Sequence, residues 1–411
     1  MATNPSSRTV YAGPFLGVNN RLGAADLDAP RQGVEGARYL AGADNVDLTA
    51  KGGIKIRDGM TLALAGDVHS AWNDELGAFA VIDDDLCALV ASGAGITSQV
   101  LRAGLPRMPV SYSRAPNGVV TWSNGLELRC IVDGVDYPIS AAPALAPEVV
   151  ASTGGSLPQG LYIVAFTWLG PQGESAPTHA VQIDVPANGR IDIADAAGAT
   201  VWLSGPNGDH VSSYGAVTQV AVLSPGGRVS RTLNTAPMPP GHIVRMHQGS
   251  LLVADQNILF VSVPYASGIY QPSRGYVPFP SKITVVQPVE GGVYVCSDKT
   301  YWLPTFFGEA GPLVRLPFGG TLGTGVYSPE ESKAYWQSPF GLVVGDDAGG
   351  VQLLQRDALS LPPAAFGATL YRMRDGRSSV VTTRGGVQPN RAAALGWADA
   401  EVIRKEISDG L

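Results

Sequence analysis

From residue 67 onward the chain repeats one pattern. A glycine opens four to six mostly apolar residues, a short polar turn follows, and a second apolar run returns. Gly77-Ala78-Phe79-Ala80-Val81-Ile82 passes through Asp83-Asp84-Asp85 to Leu86-Cys87-Ala88-Leu89-Val90. Gly118-Val119-Val120-Thr121-Trp122 passes through Ser123-Asn124-Gly125 to Leu126-Glu127-Leu128-Arg129-Cys130. Gly249 to Ala254 turns at Asp255-Gln256-Asn257 into Ile258-Leu259-Phe260-Val261. Gly292 to Cys296 turns at Ser297-Asp298-Lys299 into Thr300-Tyr301-Trp302-Leu303. Gly341 to Gly345 turns at Asp346-Asp347-Ala348-Gly349-Gly350 into Val351-Gln352-Leu353-Leu354, and a weaker sixth copy starts at Gly376. Short apolar runs between turn signals predict buried strands, and Asp, Asn and Gly supply the positive φ angles of hairpin turns.

The anchor glycines lie 41, 131, 43, 49 and 35 residues apart. A β-propeller repeats every 40 to 50 residues or so, which matches most of these intervals. The long interval holds one blade plus about 90 residues, the size of one small sandwich domain. Within it, Leu161 to Trp168 reads as a strong strand, followed by short strands at Val181 to Val185, Ile191 to Ile193, Val201 to Leu203 and Val217 to Leu223. Pro143-Ala144-Leu145-Ala146-Pro147 leads in and Met238-Pro239-Pro240-Gly241 leads out. The expected fold is all-β: a β-propeller-like domain of five or six blades with an inserted fibronectin-III-like or immunoglobulin-like β-sandwich. Along the chain this gives an N-terminal arm with the first strands (1–66), a first propeller segment (67–144), the sandwich (145–238), a second propeller segment (239–390) and a C-terminal helix or tail (391–411).

The arm is irregular, but Ile54 and Ile56 alternate with Lys55 and Arg57 after Gly52-Gly53, which predicts a half-exposed strand. At the other end, Ala392 to Ala398 with Val402, Ile403 and Glu406 has helical spacing, and Gly410 follows.

Composition agrees with a turn-rich β protein: 51 Gly and 31 Pro are scattered without period among 45% apolar residues. Only 15% of residues are charged, which argues against disorder. A net charge of −7 disfavours a specific nucleic-acid-binding surface, keeps the protein soluble and repels DNA. Cys87, Cys130 and Cys296 are odd in number, widely spaced and set in apolar runs, so they read as buried free thiols. The first eight residues lack the apolar stretch of a signal peptide, and no window is apolar enough to span a membrane. A reducing cytoplasm is the expected place of folding.

Candidate chemistry is sparse. The histidines are His69, His179, His210, His242 and His247; the last two lie five apart, which does not put both on one face of a strand. Asp83-Asp84-Asp85 has the charge for a cation but not the alternate spacing and distal carboxylate of a calcium loop, so it reads as a solvated turn; Asp346-Asp347 reads the same way. Trp122, Trp168, Trp302 and Trp336 suit either a carbohydrate platform or, better, core packing. Nucleophile-elbow, phosphate-loop, dinucleotide and Asp-box motifs are missing from the sequence. No catalytic, cofactor or metal residue is expected.

Three stretches resemble tail proteins of short-tailed bacteriophages. Asn45-Val46-Asp47-Leu48-Thr49 leading into Gly52-Gly53-Ile54-Lys55-Ile56-Arg57-Asp58-Gly59 is similar to an N-terminal segment of tail-nozzle and tail-tube-B-like (phage stabilisation) proteins. Tyr276 to Thr284 followed by Pro288 to Val295 resembles a blade segment of the same proteins, and Gly173-Glu174-Ser175-Ala176-Pro177 resembles a loop of sandwich modules inserted in phage tail proteins. The resemblance implies a non-enzymatic virion subunit that forms a ring, usually a hexamer, at the distal end of the tail. Such a ring closes and conducts the DNA channel, touches the passing genome non-specifically, and meets an adaptor, fibre, needle or tip protein. The alternatives are a propeller lectin or receptor-binding tail protein recognising host glycan, and a propeller enzyme that degrades glycan.

Overall fold

The computed structural model describes residues 14–27, 37–43, 46–49, 52–56, 62–93, 95–140, 146–224, 232–304, 311–356, 358–361, 364–374, 377–385 and 400–407. The chain divides into two compact units, Gly66–Val314 and Met1–Ala65 with Arg315–Leu411. Among the described residues the only helix is the single turn Ala24–Leu27; the rest of the regular structure is β.

In the larger unit the repeat becomes a series of antiparallel meanders. The first blade runs Val68–Asp74, Gly77–Ile82, Asp85–Ser92 and Gly95–Arg102, each strand paired with the next. Its central turn is two residues long, because Ile82 pairs with Asp85. Asp83 and Asp84 both take positive φ, 49° and 70°, the conformation of a type I′ hairpin turn. The second blade runs Ser111–Arg114, Val120–Ser123, Leu128–Val132 and Val135–Pro138. The third runs Ile243–His247, Ser250–Asp255, Ile258–Val263 and Tyr276–Pro278, and the fourth runs Val285–Val289, Gly292–Cys296, Thr300–Leu303 and Leu313–Leu316.

The blades share their cores. Phe79, Val81 and Leu86 of the first blade join Tyr112, Trp122 and Ile131 of the second in one buried cluster. Val119, Leu128 and Cys130 of the second join Val244, Leu251 and Val253 of the third in another. Apolar residues on both faces of the middle strands make this possible, as expected for strands sandwiched between neighbouring sheets. Cys87, Cys130 and Cys296 are buried and free. Trp122, Trp168, Trp302 and Trp336 are buried too, so the four indoles are core residues and form no exposed platform.

Between the second and third blades stands a two-sheet module. One sheet holds Glu148–Leu157, Gly189–Ala194 and Gln219–Val220; the other holds Gly160–Gly170, Gly173–Glu174, Val181–Val185, Ala199–Ser204 and Val211–Gly215. Its core is its own: Tyr162, Val164 and Phe166 alternate inward along one strand and meet Ile191, Ile193, Val201 and Leu203. The Val211–Gly215 strand escapes the sequence pattern because it reads Val-Ser-Ser-Tyr-Gly, and the expected strand from Val217 shortens to Gln219–Val220. Ala236–Pro237 already pairs with Ala266–Tyr270 beside the third blade.

The smaller unit carries the four-stranded meander Val326–Ser328, Lys333–Ser338, Gly341–Gly345 and Val351–Leu353, and a three-stranded sheet of Phe366–Arg374, Arg377–Gly385 and Ala400–Ile407. Two expectations change here. Arg374 pairs with Arg377, so the sixth hairpin turns between them and its first strand does not open at residue 376. Residues 400–407 form a strand along Arg377–Gly385, with eight paired positions, where a helix was expected. Val402, Ile403 and Ile407 are β-branched, and pairing with a free strand edge overrides a weak helical spacing. The alanine-rich stretch of that expected helix, 392–398, lies outside the described residues. The Ile54–Ile56 strand is present, antiparallel to Val46–Leu48 and exposed. Gly52 turns into it at φ +73°, where a Cβ would lie 2.5 Å from Pro14 Cβ.

Candidate functional site

The residues singled out by sequence do not converge. His69 Nδ1 meets Ser70 Oγ at 2.8 Å, His242 Nε2 donates to Ile283 O at 2.7 Å, and His247 is buried at the end of its strand. Burial holds all three below the ordinary histidine value; at His69 it prevails over Asp67 and Asp84, which pull the other way. His179 is exposed, and His210 is exposed against Asp209. Among the described residues, no three His, Cys, Asp or Glu side chains gather as metal ligands.

The acidic turns are spent on the fold. Asp83 Oδ1 accepts the Asp67 N–H at 2.9 Å, Asp85 Oδ1 accepts the Gly104 N–H at 3.0 Å, and Asp84 takes the Arg107 Nε at 2.9 Å. Asp346 Oδ1 accepts the N–H groups of Ala348 (2.9 Å) and Gly350 (2.7 Å), closing its own loop.

What the fold does bring together was not visible as a motif. Asp136, almost fully buried, accepts Trp122 Nε1 at 2.9 Å and Arg129 Nε at 2.6 Å. Arg102, from the last strand of the first blade, reaches Glu127 of the second at 2.9 Å. Arg114 pairs with Asp74 through Nε and Nη2, donates Nη1 to Gly118 O at 2.9 Å and lies over the Trp72 ring. These partners come from different strands, and two of the pairs join the first blade to the second. They have no spacing signature, and planar guanidinium–carboxylate pairs of this kind fix the register of neighbouring sheets.

The nearest approach to acid–base chemistry is in the smaller unit. Glu331 accepts Tyr335 Oη at 2.5 Å and Tyr371 Oη at 3.4 Å and faces Lys333 Nζ at 3.6 Å. Burial pushes its carboxyl up, but the hydrogen bonds from Tyr335 and Ser378 together with the Lys333 ammonium carry it below the ordinary value. Tyr335 is wholly buried and stacks on Tyr371, so this group ties the meander to the three-stranded sheet.

One cleft of about 370 Å³ opens among the turns of the first three blades, lined by Leu76, Arg114, Pro116, Met246, His247 and Gly249. Its one guanidinium is already committed to Asp74. Gly249 turns there at φ +81°, with the exposed Tyr265 ring packed where a Cβ would stand.

No protein-family model matches the chain, and no curated protein matches it. Among solved structures it is similar to BBS1N in complex with ARL6DN, at TM-score 0.33 and 10% identity over 82% of this chain and 91% of that one. It is also similar to YCF48 from Cyanidioschyzon merolae, at 0.32 and 10% over 78% and 94%, and to Saccharomyces cerevisiae Sqt1, at 0.25 and 8% over 78% and 96%. Likenesses this faint say nothing of function. The sheets themselves define the chain as an all-β, propeller-like protein with an inserted sandwich.

Proposed function

We propose that the chain is a non-catalytic structural subunit that assembles with copies of itself, forming the ring at a phage tail tip that closes and conducts the DNA channel and docks other tail proteins. The observation that carries the assembly is the outer edge of the first blade. Gly95–Arg102 is eight residues long and ends its sheet, and the side chains from Gly95 to Val100 are exposed on both faces. Ile96 is 39% and Val100 53% exposed, and Val90 on the neighbouring strand is 50% exposed. Gly95 to Leu101 carries no charge and no proline. A lasting monomer blunts such an edge with charge, proline or a covering element, because open strand edges recruit further strands. Among the described residues this edge is uncharged up to Leu101, pairs with no further strand and exposes Ile96 and Val100, which suits a subunit whose partner is another protein chain. The three resembling stretches supply the tail setting and the ring.

Negative-stain images of the purified protein test the reading. Closed rings, and label at the tail tip of virions stained against the chain, are the expected result. A strictly monomeric protein at high concentration that cleaves or binds glycan would replace it with one of the glycan readings.

A further inference from the structure

Among the described residues, no counter-charge stands beside Arg245. The residue sits on Ile243–His247, the first strand of the third blade, beside the first strands of the second and fourth blades. Its Nη1 donates to Val244 O (2.8 Å), Ser111 Oγ (3.2 Å) and Tyr112 O (3.4 Å), all neutral oxygens. No carboxylate among the described residues reaches it. The contrast with its neighbours is sharp: Arg102, Arg107, Arg114, Arg129 and Arg190 each hold an Asp or Glu. Burial alone pushes the Arg245 guanidinium down to about 10, which leaves it protonated at neutral pH. A partly buried cation with no counter-charge is costly, and an anion bound beside it relieves that cost.

Nε and Nη2 of Arg245 find no protein acceptor among the described residues, and the side chain stays partly open to solvent. These two N–H groups form the parallel fork that grips two oxygens of one oxyanion. Ser111 Oγ, which accepts the Val244 N–H at 3.1 Å and Arg245 Nη1 at 3.2 Å, holds the guanidinium from its other side. We propose that the Nε–Nη2 edge of Arg245 binds a phosphate-type oxyanion, either free phosphate or a phosphodiester of nucleic acid, between the first strands of the second and third blades. The chain's net charge of −7 does not recruit such a ligand from a distance, so binding rests on the local fork. The site is independent of any ring assembly.

The test is thermal melting and calorimetry of the full chain with inorganic phosphate, ionic strength held constant with chloride. A saturable rise in melting temperature is expected, with affinity lowered about tenfold or more in Arg245→Met and reduced in Arg245→Lys, which keeps the charge but not the fork. Fluorescence anisotropy with a short DNA oligonucleotide identifies the source. Arg245-dependent DNA binding points to the phosphodiester, and phosphate binding without it points to the free ion. Equal shifts in wild type and Arg245→Met, or no binding by either probe, would overturn the site. Should Arg245→Met fail to fold, wild-type crystals soaked in tungstate decide: anomalous density at Nε and Nη2 supports the site, and none there refutes it.

Discussion

The sandwich and the blades solve the same problem in opposite ways. The sandwich closes its two sheets on a private core, with Tyr162, Phe166, Ile191 and Leu203 all supplied from within residues 157–203. The first three blades of the larger unit do not. The first is sealed by the second through Phe79, Tyr112 and Trp122, and the second by the third through Cys130, Val244 and Val253. A four-stranded meander has two apolar faces and too little mass to cover either, so its stability is a property of its neighbours. The sandwich thus carries its own core, while the first three blades share theirs.

The largest effects should come from cutting the two kinds of core. Trp122→Ala removes a fully buried indole between two blades and should cost about 3–5 kcal/mol. Hydrogen exchange followed by mass spectrometry should then speed up in both the first and second blades. Phe166→Ala should cost about as much, but the faster exchange should stay within residues 148–220. Exchange spreading equally in both variants would erase the distinction.

A second cut acts on polar ties. Asp136→Ala strands Arg129 and the Trp122 N–H in a buried place and should cost about 3 kcal/mol in urea denaturation. Asp192→Ala, on a half-exposed pair with Arg190 in the sandwich, should cost less than about 1 kcal/mol.

The effect of pH follows the blades too. His69, His242 and His247 lie in or beside them, and burial lowers the affinity of each for a proton. The unfolded chain therefore takes up protons first. Stability should hold above about pH 6.5 and decline as pH falls from there through the lower folded-state values. His247→Gln should flatten that slope, as read from urea midpoints across the range. An unchanged slope would show that His247 is not among the groups responsible.

Much of this contrast is legible in the sequence. Gly292 to Cys296 and Thr300 to Leu303 announce a hairpin because both runs are apolar and the turn between them is Ser-Asp-Lys. The long interval between Gly118 and Gly249 announces the sandwich. Pairing partners are another matter. Residues 400–407 carry a pattern that suits a helix as well as a strand, and only the open edge of Arg377–Gly385 decides between them. Arg114 and Asp74 lie 40 residues apart, and Arg102 and Glu127 25 apart, so no local spacing could reveal them. Arg245 had a faint signal, a single charge inside His242-Ile243-Val244-Arg245-Met246, but whether an acid would face it depended on strands far away in sequence.

The smallest effect on stability should accompany the largest effect on assembly. Lysines at Ile96 and Val100 fall on an exposed edge and should change the folding free energy by no more than about 0.5 kcal/mol. They also place charge where an incoming strand would lie. The direct measurement is therefore the mass of wild type and of Ile96→Lys/Val100→Lys by multi-angle light scattering at matched concentration. A wild-type ring several times the 42.7 kDa of one chain, falling to a folded monomer in the double variant, is the predicted result. A wild-type monomer, or a double variant that assembles as wild type does, would contradict assembly through the outer edge of the first blade.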